Sequence, residues 1–144
     1  MRWLIKGNEV SGETNLQTLL TSMSPRLDDT EWVFAAAQEE DAVLLTPHAI
    51  ATFREAEGLT LVLPQSAAHD LGSVSAPMNR ITLEVHSSLE AVGLTAAVAG
   101  ALAEAGISAN VIAAYYHDHI FVPKGSADRA LAVLRGLSTS TDSS

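Results

Sequence analysis

The sequence predicts an α+β fold made of two ferredoxin-like βαββαβ units, each with a small antiparallel sheet and helices on one face. Two observations predict this class. Segments with strand alternation and segments with helical periodicity follow the order strand, helix, strand, strand, helix, and this order occurs twice. In addition, 144 residues suffice for one ordinary domain or two very small ones. We therefore expect domains at 1–75 and 76–137, followed by a flexible tail at 138–144.

The first strand and the first helix of the C-terminal unit have the clearest patterns. Residues 80–86 alternate strictly between polar and apolar side chains, which predicts a half-buried strand. Its apolar members are Ile81, Leu83 and Val85. From Leu94 the apolar period becomes that of a helix. The helical stripe consists of Leu94, Val98, Ala101, Leu102 and Ala105. Gly106 follows directly and predicts a left-handed cap at the end of this helix.

Two more strands and a second helix complete the C-terminal unit. Strands are predicted at 107–115 and 119–122, with a turn between them and Pro123 at the end of the second. Ser126 is the expected N-cap of the last helix. The final seven residues contain no apolar side chain and are expected to be loose.

The N-terminal half follows the same order less clearly. Its predicted elements are a strand or hairpin at 2–10, a helix at 15–23, strands at 31–37 and 58–63, and a short helix at 66–71. Residues 38–58 are expected to be irregular, with a solvated turn at 38–41 and at most one helical turn within 47–53. The fourth strand of this unit is missing. Either 80–86 supplies it, or 2–10 closes the sheet of the second unit.

Composition excludes several classes of protein. The chain has 8 Lys and Arg against 17 Asp and Glu, and this net charge of −9 argues against nucleic acid or an anionic membrane as partner. With no cysteine, it can form no disulfide, thiolate zinc site or thiol nucleophile. No apolar run reaches the roughly 20 residues of a membrane span, and the N-terminus lacks the apolar core of a signal peptide. These features predict a soluble cytoplasmic protein.

Three runs of sequence resemble a known family. Gly93-Leu94, a helix, and then Gly106-Ile107 before a strand form a pattern similar to that of ACT domains. Residues 115–123, which contain His117-Asp118-His119 and end in Val-Pro, resemble the small bacterial tandem ACT-domain proteins. Residues 53–64 resemble the N-terminal domain of those proteins. The three runs occur in the family order and extend the resemblance over nearly the whole chain.

The resemblance implies a ligand-sensing regulatory module and not an enzyme. ACT domains typically bind an amino acid between two domains, through the loop that enters the first helix and the strand that follows that helix. The corresponding positions here are Ala91, Val92, Gly93, Leu94, Asn110, Val111, Ile112 and Ala113. A homodimer is expected, because ACT sheets pair with one another and each unit can lack its fourth strand. We expect no cofactor, no metal and no catalytic residue.

The chemistry of these residues suits an amino acid. The first amides of a helix attract a carboxylate, and Gly93 lets it approach closely. Carbonyls of the facing strand and the Asn110 side chain can accept from an ammonium group. Alternatively, Gly93 only forms a tight turn between loop and helix.

Four polar residues form a second candidate cluster. His86 ends one predicted strand, His117 and Asp118 precede its expected neighbour, and His119 begins that neighbour. Such a group can contact a ligand, hold a divalent metal or transfer protons. The simpler interpretation is a turn fixed by Asp118, in which the histidines bond to backbone groups. Glu55 and Glu57 in turn either form a solvated loop or meet a cationic group of the ligand.

Two alternative functions remain open at this point. The same fold can act as a dimeric interaction module or adaptor that is indifferent to ligands. Less favoured is a metal-dependent enzyme that uses His86, His117 and His119. The sequence contains no nucleophile elbow, phosphate loop or dinucleotide-binding glycine pattern.

Overall fold

A computed structural model of the protein describes residues 4–6, 9–11, 15–85 and 93–142. Its strands are β1 (Leu4–Lys6), β2 (Glu9–Ser11), β3 (Ser24–Ala37), β4 (Ala51–Glu55), β5 (Gly58–Pro64), β6 (Met78–Glu84), β7 (Asn110–Ala113) and β8 (Asp118–Pro123). Its helices are α1 (Leu16–Ser22), α2 (Glu39–Leu45), α3 (Leu94–Glu104) and α4 (Ala127–Asp142), with 3-10 turns at Thr46–His48 and Gln65–Ala67. The chain forms two compact units. The large unit comprises the described residues up to Asp28 and from Arg80 onward, and the small unit is Asp29–Asn79.

The large unit is a helix-on-sheet layer. Its strands are hydrogen-bonded in the order β3, β6, β8, β7, and β7 pairs antiparallel with β8 from Asn110 opposite Phe121 to Ala113 opposite Asp118. The predicted alternation of residues 80–86 is confirmed for the apolar face, because Ile81 and Leu83 are buried. They belong to one core with side chains of all three helices of this unit. The helical members are Leu19, Leu20, Leu94, Val98, Leu102, Ala130 and Leu134.

The end of α3 confirms the predicted glycine cap. Gly106 has φ +75°, and its amide donates to the carbonyl of Ala103 at 2.9 Å. The amide of Ile107 donates to the carbonyl of Leu102 at 2.9 Å. This pair of bonds is the Schellman motif, which usually includes an apolar contact between the residues at the two ends of the longer bond. Here both Leu102 and Ile107 are buried in the same core.

The last helix is longer than the sequence predicts. α4 begins after Ser126, whose carbonyl accepts from the Ala130 amide at 2.9 Å, and continues to Asp142. Residues 138–142, which were expected to be loose, are therefore helical. The Ser138 hydroxyl donates to the carbonyl of Met23 at 3.1 Å and ties this turn to the end of α1. The polar composition of the segment gave no sign of this bond.

The first helix lies in the large unit, although it belongs to the N-terminal half of the sequence. The helix predicted at 15–23 is confirmed as α1, with Asn15 as N-cap: its side-chain oxygen accepts from the Thr18 amide at 3.0 Å. α1 packs against α3 and α4. The expected hairpin near the N-terminus is present as the antiparallel pair β1 and β2, while its Gly7-Asn8 turn lies outside the described residues.

Neither alternative for the missing fourth strand is found among the described residues, because β6 belongs to the large unit and β1 pairs with β2 in a separate two-stranded sheet. β6 lies beside β3, which at 14 residues is much longer than the strand predicted at 31–37. Two ion pairs join these strands within the large unit. Arg80 meets Asp28 at 3.0 Å with both side chains mostly buried, and Arg26 meets Glu84 at 3.1 Å at the surface.

The small unit is a three-stranded antiparallel layer with one short helix. Its strand order is β4, β5, β3, and α2 contributes Ala42 and Leu45 to a core formed with β3 and β5. The buried members of that core are Val33, Ala35, Ala37, Leu61, Leu63 and Ala68.

Two predictions for the small unit were wrong. Residues 38–58 are not irregular, because they contain α2 and β4, and the segment 66–71 forms only the 3-10 turn at Gln65–Ala67. α2 starts with three acidic residues, which stabilise a helix N-terminus, but none of its side chains is fully buried, so no apolar stripe appears. In β4 four of five residues are exposed, so burial does not alternate along this strand. Within the described ranges, no helix is long and apolar enough to cross a bilayer.

Candidate functional site

The start of α3 is the first candidate site. Gly93 precedes the helix with φ +101° and ψ −20°, and as the N-cap residue it offers the first amides no side-chain cap. A Cβ atom at this position would lie 3.1 Å from the Cδ2 atom of Leu16. Glycine is thus favoured twice, by the positive φ and by the neighbouring side chain of α1. The tight-turn interpretation alone would explain this residue, and Leu16 gives the uncapped amides an apolar neighbour.

The strand after α3 holds the other half of the predicted site. Asn110 and Ala113 are exposed, whereas Val111 and Ile112 are half-buried. Val111 packs against the core of the large unit. β7 ends the strand order of this unit, so β8 is its one hydrogen-bonded neighbour among the described strands. The predicted residues Ala91 and Val92 lie outside the described residues, as does His86.

The histidine cluster lies at the β7–β8 hairpin. Residues 114–117 connect the strands, and the Ala114 amide donates to the His117 carbonyl at 3.0 Å. Asp118 is buried, and the Nδ1 atom of His119 lies 3.0 Å from the Thr82 hydroxyl of β6. The bond between Ala114 and His117 agrees with a hydrogen-bonded turn, whereas the contact between His119 and Thr82 joins two side chains. The described residues contain no group of three His, Cys, Asp or Glu side chains arranged to hold a metal ion.

The small unit contains a cavity of about 520 Å³. It lies between α2 and the β4–β5 hairpin. Its lining residues are Ala37, Gln38, Glu39, Ala42, Val43, Thr46, Arg54, Glu55, Gly58 and Leu59. Of the two glutamates that the sequence suggested, Glu55 borders this cavity and Glu57 is not among the residues that line it. The cavity itself was missed, because α2 was not predicted.

Strand register assigns the side chains of the hairpin to opposite faces. Arg54 pairs with Leu59, which shares one face of β5 with the core residues Leu61 and Leu63. Arg54 is therefore on the face that α2 covers. Glu55 points to the other face, and its carboxylate accepts a hydrogen bond from the Thr60 hydroxyl. Arg54 is thus the cation that this cavity offers to a ligand.

Together these features define a class of protein: a chain with two small helix-on-sheet units and one candidate site in each. Two different profiles of the ACT domain match the sequence, one over residues 11–76 and the other over residues 75–136. The chain belongs to the ACT domain family and carries two such domains in tandem. ACT domains are regulatory modules that sense small molecules, and the resemblance seen in the sequence is confirmed.

Solved structures agree with this assignment. The chain is 54% identical to a protein from Vibrio cholerae, over 85% of this chain and 95% of that one, with a TM-score of 0.74. That protein is described as having unknown function and as a possible transport protein. The ligand-free regulatory subunit of aspartate kinase from Thermus thermophilus shares the fold, with 10% identity, coverage of 81% and 97%, and a TM-score of 0.61. A protein from Agrobacterium tumefaciens is similar at 15% identity, coverage of 81% and 89%, and a TM-score of 0.63. No curated protein sequence matches the chain significantly.

Proposed function

We propose that this chain is a regulatory module that binds an amino acid or a similar small metabolite, acts as a homodimer and catalyses no reaction itself. Membership in the ACT domain family supports this proposal. The shared fold of the Thermus protein agrees with it, since that protein is a regulatory subunit.

The start of α3 is the observation that carries the proposal. Amides that the N-cap residue leaves uncapped can bind a carboxylate, and the helix dipole adds to the attraction. We place the ligand carboxylate near Gly93 and Leu94 and its apolar part toward Leu16, which lies beside Gly93. The ammonium group would then face β7, where the exposed Asn110 can accept a hydrogen bond. Val111, Ile112 and Ala113 continue that wall, and Ala91 and Val92 precede Gly93 in the sequence.

A thermal-shift screen with the twenty amino acids, followed by calorimetry, tests this function. A ligand at 100 times its Kd should stabilise the folded state by about 2.7 kcal/mol. Asn110→Ala should weaken binding several-fold, whereas Ser108→Ala, two residues earlier and also exposed, should leave it unchanged. If none of the twenty amino acids stabilised the protein at a concentration of roughly 10 mM, the proposal would be contradicted.

A ligand-independent dimeric adaptor is the second candidate, and exposed apolar side chains favour it. Val43 and Leu44 of α2 are 72% and 71% exposed, and Phe53 of β4 is 70% exposed. Such side chains often mark a surface that another protein covers. Sedimentation with and without amino acids separates the two functions. An adaptor should form the same tight dimer under both conditions, whereas a sensor should change its association or its stability when a ligand binds.

A further inference from the structure

We propose that the cavity of the small unit is a second ligand site, which binds a zwitterionic α-amino acid with a small apolar side chain and holds its carboxylate through Arg54. The inference rests on the proposed sensing function but concerns a different unit from the site at α3. It follows from the charge distribution of the small unit, from the direction of Arg54 and from the apolar wall of the cavity.

The charge distribution singles out one residue. Between Asp29 and Asn79 the sequence contains eight Asp and Glu residues, whereas Arg54 is the only Lys or Arg. Any of these carboxylates is chemically able to form an ion pair with Arg54. Within the part of the chain that the structure describes, the Arg54 guanidinium nevertheless makes no hydrogen bond and no ion pair.

Strand geometry explains why the neighbouring glutamate does not neutralise it. Glu55 follows Arg54 directly, and successive side chains of a strand point to opposite faces. Its carboxylate is engaged by Thr60 on the far face of the hairpin. Arg54 is left on the face of the cavity, with its five donors available to a bidentate carboxylate.

The remaining lining defines the other parts of the ligand. Ala42, Val43 and Leu59 give the cavity an apolar wall, and Glu39 contributes a carboxylate at the start of α2. Glu39 likewise has no hydrogen-bond or ion-pair partner among the described residues. It can accept from an ammonium group while Arg54 donates to a carboxylate. A volume of about 520 Å³ lies within the range of small-molecule pockets and exceeds the needs of an amino acid.

The acidic surroundings select a zwitterion over a simple anion. Eight carboxylates create a negative potential that repels a free anion as it approaches Arg54. A ligand with zero net charge avoids this repulsion and also gains the contact with Glu39. A simple amine would be attracted to the unit, but it would meet Arg54 in the cavity as a like charge. Both charges of an α-amino acid are therefore required.

Backbone-amide NMR titrations of the full chain test this inference. The probes are L-alanine, L-valine and L-leucine, with isovalerate as valine without its ammonium group, isobutylamine as valine without its carboxylate, and sulfate as a simple anion. At least one amino acid should shift the amides of Val43, Arg54 and Leu59. In Arg54→Met, affinity should fall about tenfold or more, because a hydrogen bond to a charged group is lost. Arg54→Lys, which keeps the charge and loses the planar fork, should retain part of the affinity.

The matched control is Arg135→Met. Arg135 is exposed on α4 of the large unit, and its removal lowers the net charge equally without touching the cavity. This variant should bind as the unaltered chain does. Equal affinity of Arg54→Met and the unaltered chain would overturn the inference, and so would isovalerate or sulfate binding as tightly as the amino acids.

The same spectra separate failure of this inference from failure of the proposed function. If the amide signals of Gly93 and Leu94 shift and those of the small unit do not, the proposed ligand site at α3 stands and the second site is overturned. If the amide signals of the small unit shift in the unaltered chain but not in Arg54→Met, and the Gly93 signal does not shift, the second site is supported and the site at α3 is contradicted. A spectrum in which no amide responds to any of the three amino acids would overturn the second site for its stated ligand class.

Discussion

Replacement of Gly93 by alanine should destabilise the protein, although alanine is the better helix former. The left-handed conformation of Gly93 costs an alanine about 1–2 kcal/mol. The new Cβ would also lie 3.1 Å from Leu16 Cδ2. Leu16 is 36% exposed and can move by a few tenths of an ångström, so we assign this contact about 1 kcal/mol at most. The lower entropy of the unfolded alanine chain offsets about 0.4–1 kcal/mol. The extremes of these three contributions sum to a net loss of about 0 to 2.6 kcal/mol, and their central values sum to about 1 kcal/mol.

Gly100→Ala is the matched control in the same helix. Gly100 is exposed in α3, and a Cβ there meets no atom within 4 Å. Because glycine weakens a helix interior, this variant should gain about 0.5–1 kcal/mol. The two Gly→Ala changes in one helix therefore have opposite signs. In thermal melts followed by circular dichroism, where about 1 kcal/mol corresponds to roughly 2–4 °C, they should move the Tm in opposite directions.

A double-mutant cycle with Leu16→Ala separates the backbone strain at position 93 from the close contact between the new Cβ atom and Leu16. Truncation of Leu16 removes the close contact but leaves the backbone conformation, so Gly93→Ala should still cost about 1 kcal/mol in that background. Complete recovery there would show that crowding accounts for the whole effect. If Gly93→Ala were more stable than the unaltered chain, the assigned left-handed conformation of Gly93 would be refuted.

Three further stability predictions concern the large unit, and chemical denaturation measures each of them. Leu134→Ala removes a side chain with no exposed surface from the core and should cost about 2–5 kcal/mol; a loss below about 1 kcal/mol would contradict the packing described for α4. Asn15→Ala removes the side-chain bond to the Thr18 amide and should cost about 1 kcal/mol, while Asn15→Ser should retain most of the stability. Thr82→Val removes the buried hydroxyl that bonds to His119 and should cost about 1–2 kcal/mol; a neutral result would show that this bond adds nothing.

The sequence predicted best those elements whose pattern follows from a single buried face. β6 alternates because one face packs under helices, and α3 has an apolar stripe because one side covers the sheet. Its end was also predictable, since the Schellman motif needs only a glycine followed by an apolar residue. All of these signals lie within about ten residues of sequence, and each of them is confirmed.

The small unit was harder because its elements bury little. α2 has no fully buried side chain, and β4 lies at the edge of the layer with four of its five residues exposed. Periodicity records burial, so elements that bury little leave no periodic signal. The cavity was missed for the same reason, since α2 forms one of its walls.

The two candidate sites differ in how much of each the sequence contains. Gly93 could be found by its position before a helix, but its contact with Leu16 joins residues 77 positions apart and depends on where α1 packs. Arg54, by contrast, is conspicuous in the sequence as the only Lys or Arg in the small unit. The sequence could not show which face of the strand carries the Arg54 side chain. The register of β4 against β5 decides that Arg54 faces α2 while Glu55 faces away. A shift of one residue in that register would exchange the two side chains and leave a carboxylate at the cavity. The ligand preference proposed for this unit therefore depends on the pairing of one short hairpin.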